Sequence, residues 1–265
     1  MTPPSLTPQY RGAAISIVVH VLALLAGVSL LGAAFEFPDI LRQPAPYRLE
    51  LYLRNQSTIQ SGFWILAMTG FTQIAMSVFL YRSFRERDSA VLSFALVFGI
   101  LAGMLQTMGF IGWAIVMPYL ATQMADPAAS AITREAVALV EGAFNQYAGV
   151  ALGEHTANIC LGLWTGLLAI AMARVPLVDR RLAVGGIFVA PLALVLALGQ
   201  LGVSGWLLDL VTVFGSPLWV VWLVLIGVSL LRTDGVTGDA PPMTWRTVLG
   251  GGLLYCAMVI LSLFP

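Results

Sequence analysis

The acidic, imidazole and amide side chains of this chain that could do chemistry are concentrated in one stretch, Glu141–Thr165. Glu154 and Asn158 are four residues apart, so they share one face of a helix. Glu141 and Asn145 form a second pair with the same spacing. His155 lies about 100° around the helix from Glu154, so one helix cannot direct both side chains at one point. Glu154 and His155 are catalytic candidates, and all five residues are candidates for ligand binding.

Other apolar segments add polar side chains that could face the same place. The ligand-binding candidates among them are Gln106, Gln73 and Asp209, and Gln200 and Ser204 lie at a similar depth. We expect these groups to converge on a polar pocket that opens to the outer face, roofed by residues 128–146. The alternative is structural. Glutamine and asparagine can form interhelical hydrogen bonds worth about 1 kcal/mol, and Asp209 can cap a helix at the interface.

Composition places the chain among integral membrane proteins. Of its 265 residues, 59% are hydrophobic and 10% are charged, whereas a soluble domain carries about 25% charged residues. The formal net charge is zero, which gives no indication of a nucleic-acid partner. The basic residues are all arginine, and the absence of lysine excludes a Schiff-base mechanism.

Seven apolar runs are each long enough to cross a hydrocarbon core about 30 Å thick. They predict an all-α, polytopic membrane bundle of seven transmembrane helices, with residues 1–265 as one transmembrane domain. The runs span residues 13–34, 62–81, 90–118, 150–173, 182–203, 207–231 and 247–264, with outer connections at 36–61 and 119–149.

The second outer connection has helical periodicity from Ala128 onward, with apolar residues on one side and Arg134 and Glu141 on another. This pattern predicts an amphipathic helix on the outer surface, with a bend at Gly149 and Gly153 before the fourth run. One straight helix over 128–173 is the competing geometry, and the sequence leaves both open.

Small residues predict where the helices pack. Glycines four residues apart allow backbones to approach closely, so we expect the third and fourth runs to form the centre of packing. The pairs are Gly99 with Gly103, Gly149 with Gly153, and Gly162 with Gly166.

Arginine placement predicts the orientation of the bundle. Nine arginines flank one set of helix ends and four flank the other. The positive-inside rule puts the richer side in the cytoplasm. With seven crossings, the N-terminus is then cytoplasmic and the C-terminus external.

The sequence predicts no cofactor. A bis-histidine haem needs both histidines at similar depth, but His20 lies about 13 Å and His155 about 28 Å from the arginine-rich side. A zinc site needs about three suitably spaced ligands, and no HExxH or similar spacing is present. Haem and zinc are both disfavoured, and we expect no metal site.

Several stretches together resemble a known family. They are YRGAAISIVVHVLALLAG, LELYLRNQ, LYRSFRERDSAVL, GEHTANICLGLWTGLLAIAM and RRLAVGGIF. Their layout is similar to the bacterial multi-pass family known as domain of unknown function 4386, over about residues 10–232. The resemblance implies a helical protein of the bacterial cytoplasmic (inner) membrane, with no assigned activity and no catalytic residues to transfer.

Three classes of function remain compatible with the sequence. The first is a non-enzymatic protein whose partners are the lipid bilayer, a lipid or small amphiphile, or other membrane proteins of a larger assembly. The second is an intramembrane enzyme that uses Glu154 and His155 on a lipid-like substrate. The third is a small transporter.

Overall fold

The computed structural model describes residues 7–85, 90–175 and 177–232, and in these ranges it is helical with no strand. A 3₁₀ turn, Asp39–Arg42, and a π-helical segment, Asn145–Thr156, interrupt a series of α-helices. The α-helices in the described ranges are α1 (Thr7–Phe35), α2 (Ala45–Arg54), α3 (Gln56–Phe84), α4 (Ala90–Ile115), α5 (Met117–Ala125), α6 (Ala131–Phe144), α7 (Ala157–Met172), α8 (Arg180–Gly199) and α9 (Trp206–Arg232).

Six helical segments are long and apolar enough to cross a membrane, and they coincide with the first six predicted runs. The fold class predicted from composition and periodicity is therefore confirmed. The bounds differ mainly where polar residues extend a helix beyond its apolar run, as in α3, which begins at Gln56 rather than Gly62. The predicted seventh run, residues 247–264, lies outside the described residues.

The spanning helices form a closed ring. Along the ring, α1 packs against α3, α3 against α4, α4 against α7, α7 against α8, α8 against α9, and α9 against α1. Because consecutive spanning helices alternate in direction, seven of the described arginines gather at one end, which we call the arginine-rich end. These are Arg11, Arg82, Arg85, Arg174, Arg180, Arg181 and Arg232. Arg42, Arg48, Arg54 and Arg134 lie at the opposite, arginine-poor end.

At the arginine-rich end all six spanning helices share one apolar core. Its buried members include Ile17 of α1, Leu80 of α3, Trp164 of α7 and Trp222 of α9. Trp219 of α9 joins this core, where its Nε1 donates to Thr165 Oγ1 at 3.0 Å. Apolar packing and a satisfied indole donor therefore hold this end of the ring together.

A second core at the arginine-poor end has a different membership. Phe35, Tyr52, Phe63 and Trp113 pack there with edge-to-face and stacked rings. They come from α1, α2, α3 and α4, and α5 and α6 complete the cluster. Neither α8 nor α9 contributes a buried residue to it. At the arginine-poor end, these two helices therefore lie outside the packed core, which leaves space beside α7.

Glycines set the closest helix contacts. A Cβ on Gly103 would stand 2.4 Å from the carbonyl oxygen of Gly70, so α3 and α4 touch backbone to backbone. A Cβ on Gly109 would stand 2.6 Å from the Cα of Gly153, which brings α4 against the π-helical segment. The predicted role of small residues in packing holds for α4, whose glycines contact both of its neighbours.

The chain from Ala131 to Met172 is one continuous helical path, so the single-helix geometry is the correct alternative. Gly149 and Gly153 do not break this path, and both lie within the wider turns of the π-helical segment. The run predicted to end at residue 118 continues into α5. Pro118 lies in the first turn of α5, where its missing N–H leaves no intrahelical hydrogen bond unmade. Only residues 126–130 separate α5 from α6.

The helix predicted in this connection buries part of its polar side. Glu141 and Asn145 are buried, whereas Ile132 and Val140 are exposed by 78% and 52%. The reason is that α6 packs against α2 and α5 rather than lying flat over the bundle. We call α2, α5 and α6 together the cap, because they pack on one another at the arginine-poor end. Within the cap, the polar side of α6 meets Arg48 of α2.

Candidate functional site: a cavity between α7, α8 and α9

A cavity of about 670 Å³ lies where α8 and α9 leave the second core. Its walls are the π-helical segment and α7, the end of α8, the start of α9, and the turn at Asp39–Arg42. Ser216, its deepest residue on α9, is ten residues from the start of that helix, or about 15 Å. The lining is half polar and half apolar: Pro38, Leu41, Arg42, Val150, Glu154, Asn158, Leu196, Gly199, Gln200, Leu208, Asp209, Thr212, Val213 and Ser216.

Glu154 and Asn158 both line the cavity, as their spacing predicts. Glu154 accepts a hydrogen bond from Nε2 of Gln200, the C-cap residue of α8, with 2.5 Å between the donor and Oε2. Glu154 therefore has a polar partner from another helix and is partly buried. Asp209 lies on the opposite wall, in the first turn of α9, where the helix dipole stabilises a negative charge. It is not the N-cap, because α9 begins three residues earlier.

His155 also forms a hydrogen bond at the end of α8, but with a different residue from the one that bonds to Glu154. Its Nδ1 lies 2.8 Å from the carbonyl oxygen of Ala197. Because a carbonyl can only accept, Nδ1 must carry the proton. Ala197 is within the last turn of α8, and its carbonyl oxygen also accepts the backbone N–H of Gln200 at 3.2 Å, so His155 adds a second bond at this helix end. The side chain is not part of the cavity lining.

Glu141 and Asn145 do not reach the cavity. Glu141 is fully buried and pairs with Arg48 of α2, whose Nε donates to Glu141 Oε1 at 2.9 Å while a second guanidinium nitrogen donates to Oε2. The remaining nitrogen of Arg48 donates to the carbonyl oxygens of Leu41 and Gln43. Asn145 Nδ2 also donates to the Leu41 carbonyl, at 3.4 Å. These groups therefore tie α6 to α2 and to the 3₁₀ turn.

This ion pair explains why the predicted roof was wrong. Residues 128–146 were expected to fold over the pocket, but the bond between Glu141 and Arg48 holds α6 in the cap above α1, α3 and α4. The residues that cover the cavity are Pro38, Leu41 and Arg42 of the preceding connection. Sequence reasoning missed Arg48, because a partner 93 positions away leaves no local signal.

The two remaining candidates lie elsewhere in the bundle. Gln73 is fully buried, with its Nε2 3.4 Å from Ser77 Oγ on its own helix. Gln106 of α4 has a buried carbonyl oxygen with no hydrogen-bond partner among the described residues. Neither residue lines the cavity. Their side chains are thus not brought together with Glu154, and any role in ligand binding stays a prediction.

His20 is buried among three of the spanning helices. Its Nδ1 lies 2.8 Å from Thr72 Oγ1, and its ring packs edge-on against Trp219. Thr72 gives its own hydroxyl proton to the Thr69 carbonyl. His20 Nδ1 must then be the donor, which fixes the tautomer and leaves Nε2 as a bare acceptor, without a partner among the described residues.

The described residues therefore form a helical bundle in which six helical segments are long and apolar enough to cross a membrane, and polar and apolar side chains together line a cavity in it. The model of one family, described as Domain of unknown function (DUF4386), matches residues 13–227. The chain belongs to this family, and the resemblance identified in its sequence is confirmed. No curated protein matches the chain, and no solved structure matches it.

Proposed function

We propose that this protein binds a lipid or another small amphiphile in the cavity between α7, α8 and α9. The observation that carries the proposal is the composition of the lining. Three parts of the wall each present a polar group beside an apolar one: Glu154 near Val150 in the π-helical segment, Gln200 near Leu196 at the end of α8, and Thr212 near Val213 on α9. A ligand that satisfies such a wall must itself have a polar and an apolar part.

Size and depth support the same proposal. A volume of about 670 Å³ is within the range of small-molecule sites, about 300–1,000 Å³. The cavity extends about 15 Å from the start of α9, or about half of a hydrocarbon core 30 Å thick. An amphiphile of one leaflet would occupy this depth with its head group near the arginine-poor end.

Catalysis by Glu154 together with His155 has less support. A general acid or base must reach the reacting atom within hydrogen-bond distance, and His155 is not part of the lining. Its protonated nitrogen is already bonded to the Ala197 carbonyl. A binding role requires only the cavity and its polar groups.

The location we propose is the bacterial cytoplasmic membrane, with the arginine-rich end in the cytoplasm. The support is the seven-to-four distribution of described arginines between the two ends. In this orientation the N-terminus is cytoplasmic, the cavity opens on the external side, and a seventh crossing would place the C-terminus outside.

Mass spectrometry of molecules that copurify with the protein from native membranes tests the binding function. We expect a defined amphiphile with the wild type and its loss in Thr212→Trp, because the indole would fill the cavity. The matched control is Leu210→Trp on the same helix, which is 46% exposed and does not line the cavity. Equal amounts of the same lipids in all three proteins would refute the proposal.

A further inference from the structure

The charges around the cavity indicate which head group it accepts. We infer that the ligand is a long-chain primary ammonium, an amphiphile whose polar end is a protonated amine. This inference rests on the proposed amphiphile binding and specifies its chemistry.

The cavity carries an excess of negative charge. Glu154 and Asp209 both line it, and Arg42 is the one cationic side chain among its described lining residues. Arg42 can compensate only one of these two carboxylates, and its guanidinium also lies 3.5 Å from the carboxylate of Asp39, in a pair whose side chains are 70% and 87% exposed. No arginine of the described ranges lies within 4 Å of either lining carboxylate. With Arg42 counted, the lining keeps one carboxylate in excess, so a cationic head group would balance the charge whereas an anionic one would add to the excess.

Hydrogen-bond acceptors complete the polar side of the lining. Gln200 gives its amide N–H to one oxygen of Glu154, which leaves the other carboxylate oxygen and the Gln200 carbonyl oxygen to accept. Asn158 follows Glu154 on the same face, and Thr212 and Ser216 follow Asp209 on α9. An alkylammonium has three N–H donors and no acceptor, so it can bond to the free carboxylate oxygens of Glu154 and Asp209 and to the Gln200 carbonyl oxygen.

The described lining contains no aromatic residue, which favours a primary over a quaternary ammonium as the head group. Quaternary ammonium groups are recognised by cages of aromatic rings, and the fourteen lining residues include no Trp, Tyr or Phe. A trimethylammonium group also has no N–H to give to Glu154 or Asp209. The ammonium that fits is therefore one with its protons available.

A competition experiment tests this inference. The protein is placed in phosphatidylcholine nanodiscs at pH 7 with tritiated dodecylammonium, which is protonated there because amines of the lysine type have a pKa of about 10.4. Unlabelled dodecylammonium, dodecyltrimethylammonium, dodecanol and dodecanoate compete for the site. Binding to Thr212→Trp, whose cavity is filled, measures partition into the bilayer and is subtracted.

We expect dodecylammonium to bind at least about tenfold more tightly than dodecyltrimethylammonium or dodecanol, with dodecanoate the weakest, a factor of ten being about 1.4 kcal/mol. Glu154→Gln should remove most of this preference and keep the affinity for dodecanol, which also shows that the variant is folded. Glu135→Gln, an exposed carboxylate on α6 outside the lining, is the matched control and should keep the preference.

The outcomes separate the two proposals. Equal affinity for dodecanol and dodecylammonium, or a preference that Glu154→Gln leaves intact, overturns the assignment of the head group and leaves amphiphile binding in place. No binding of any probe above the Thr212→Trp baseline overturns both.

Discussion

Of the ion pairs in the cap, the buried pair of Arg48 and Glu141 should cost the protein the most stability when it is broken. The two side chains are 7% and 0% exposed, so removal of the cation leaves a carboxylate buried without a counter-charge. Breaking such a pair costs about 3–5 kcal/mol. For a chain of this size, 1 kcal/mol lowers the Tm by about 2–4 °C. We therefore expect Arg48→Met, which keeps the apolar stem, to lower the Tm by about 6–20 °C.

Thermal unfolding in mild detergent, followed by intrinsic tryptophan fluorescence, measures this loss. The matched control is Arg54→Met on the same helix, because the pair of Arg54 with Glu50 is 67% and 62% exposed. An exposed pair at this spacing contributes about 0.3–0.5 kcal/mol, so the control should lose no more than about 2 °C. The double variant Arg48→Met/Glu141→Leu should regain part of the stability, since it buries no charge. A loss in Arg48→Met no larger than in Arg54→Met would refute the reasoning.

Three further predictions concern packing, the end of α8, and topology. Gly103→Ala should lower the Tm, because its Cβ would stand 2.4 Å from a carbonyl oxygen of α3. The control Gly32→Ala should leave the Tm unchanged, because a Cβ there would have nothing within 4 Å. Equal Tm values for the two variants would show that α3 and α4 are not in backbone contact. His155→Ala should speed hydrogen exchange at the amides of residues 197–200, because the last turn of α8 loses a bond worth about 1 kcal/mol. Unchanged exchange there would mean that the imidazole does not hold that turn. Reporter fusions after Arg181 should register in the cytoplasm and those within residues 126–130 outside; the reverse would invert the orientation.

The parts of the fold that the sequence predicted are those fixed by local composition. Apolar runs identified six spanning helices, because a bilayer admits few alternatives for 20 consecutive apolar residues. The spacing of Glu154 and Asn158 predicted a shared face, and both line one cavity. The sequence also places Gln200 at a depth similar to that of Glu154, which is compatible with the hydrogen bond between them.

The parts that it did not predict depend on contacts between distant segments. Arg48 and Glu141 meet across 93 positions, and nothing near either residue distinguishes it from an ordinary surface charge. This pair decides that α6 joins the cap, so the predicted roof was wrong. The sequence left open whether residues 128–173 form one helix or two, because glycine is compatible with a bend as well as with a continuous helix.

The π-helical segment has a consequence for how the length of this sequence can vary. In an ordinary α-helix, loss of one residue rotates everything beyond it by about 100°. Between α6 and α7 such a rotation would separate either Glu141 from Arg48 or Glu154 from Gln200. Wide turns with i to i+5 bonds hold more residues per turn than the helices on either side, so a one-residue deletion within 145–156 can be absorbed by tightening them. Relatives that are shorter at this position should carry a plain α-helix there and keep both pairs, which makes this segment the place where insertions and deletions are tolerated.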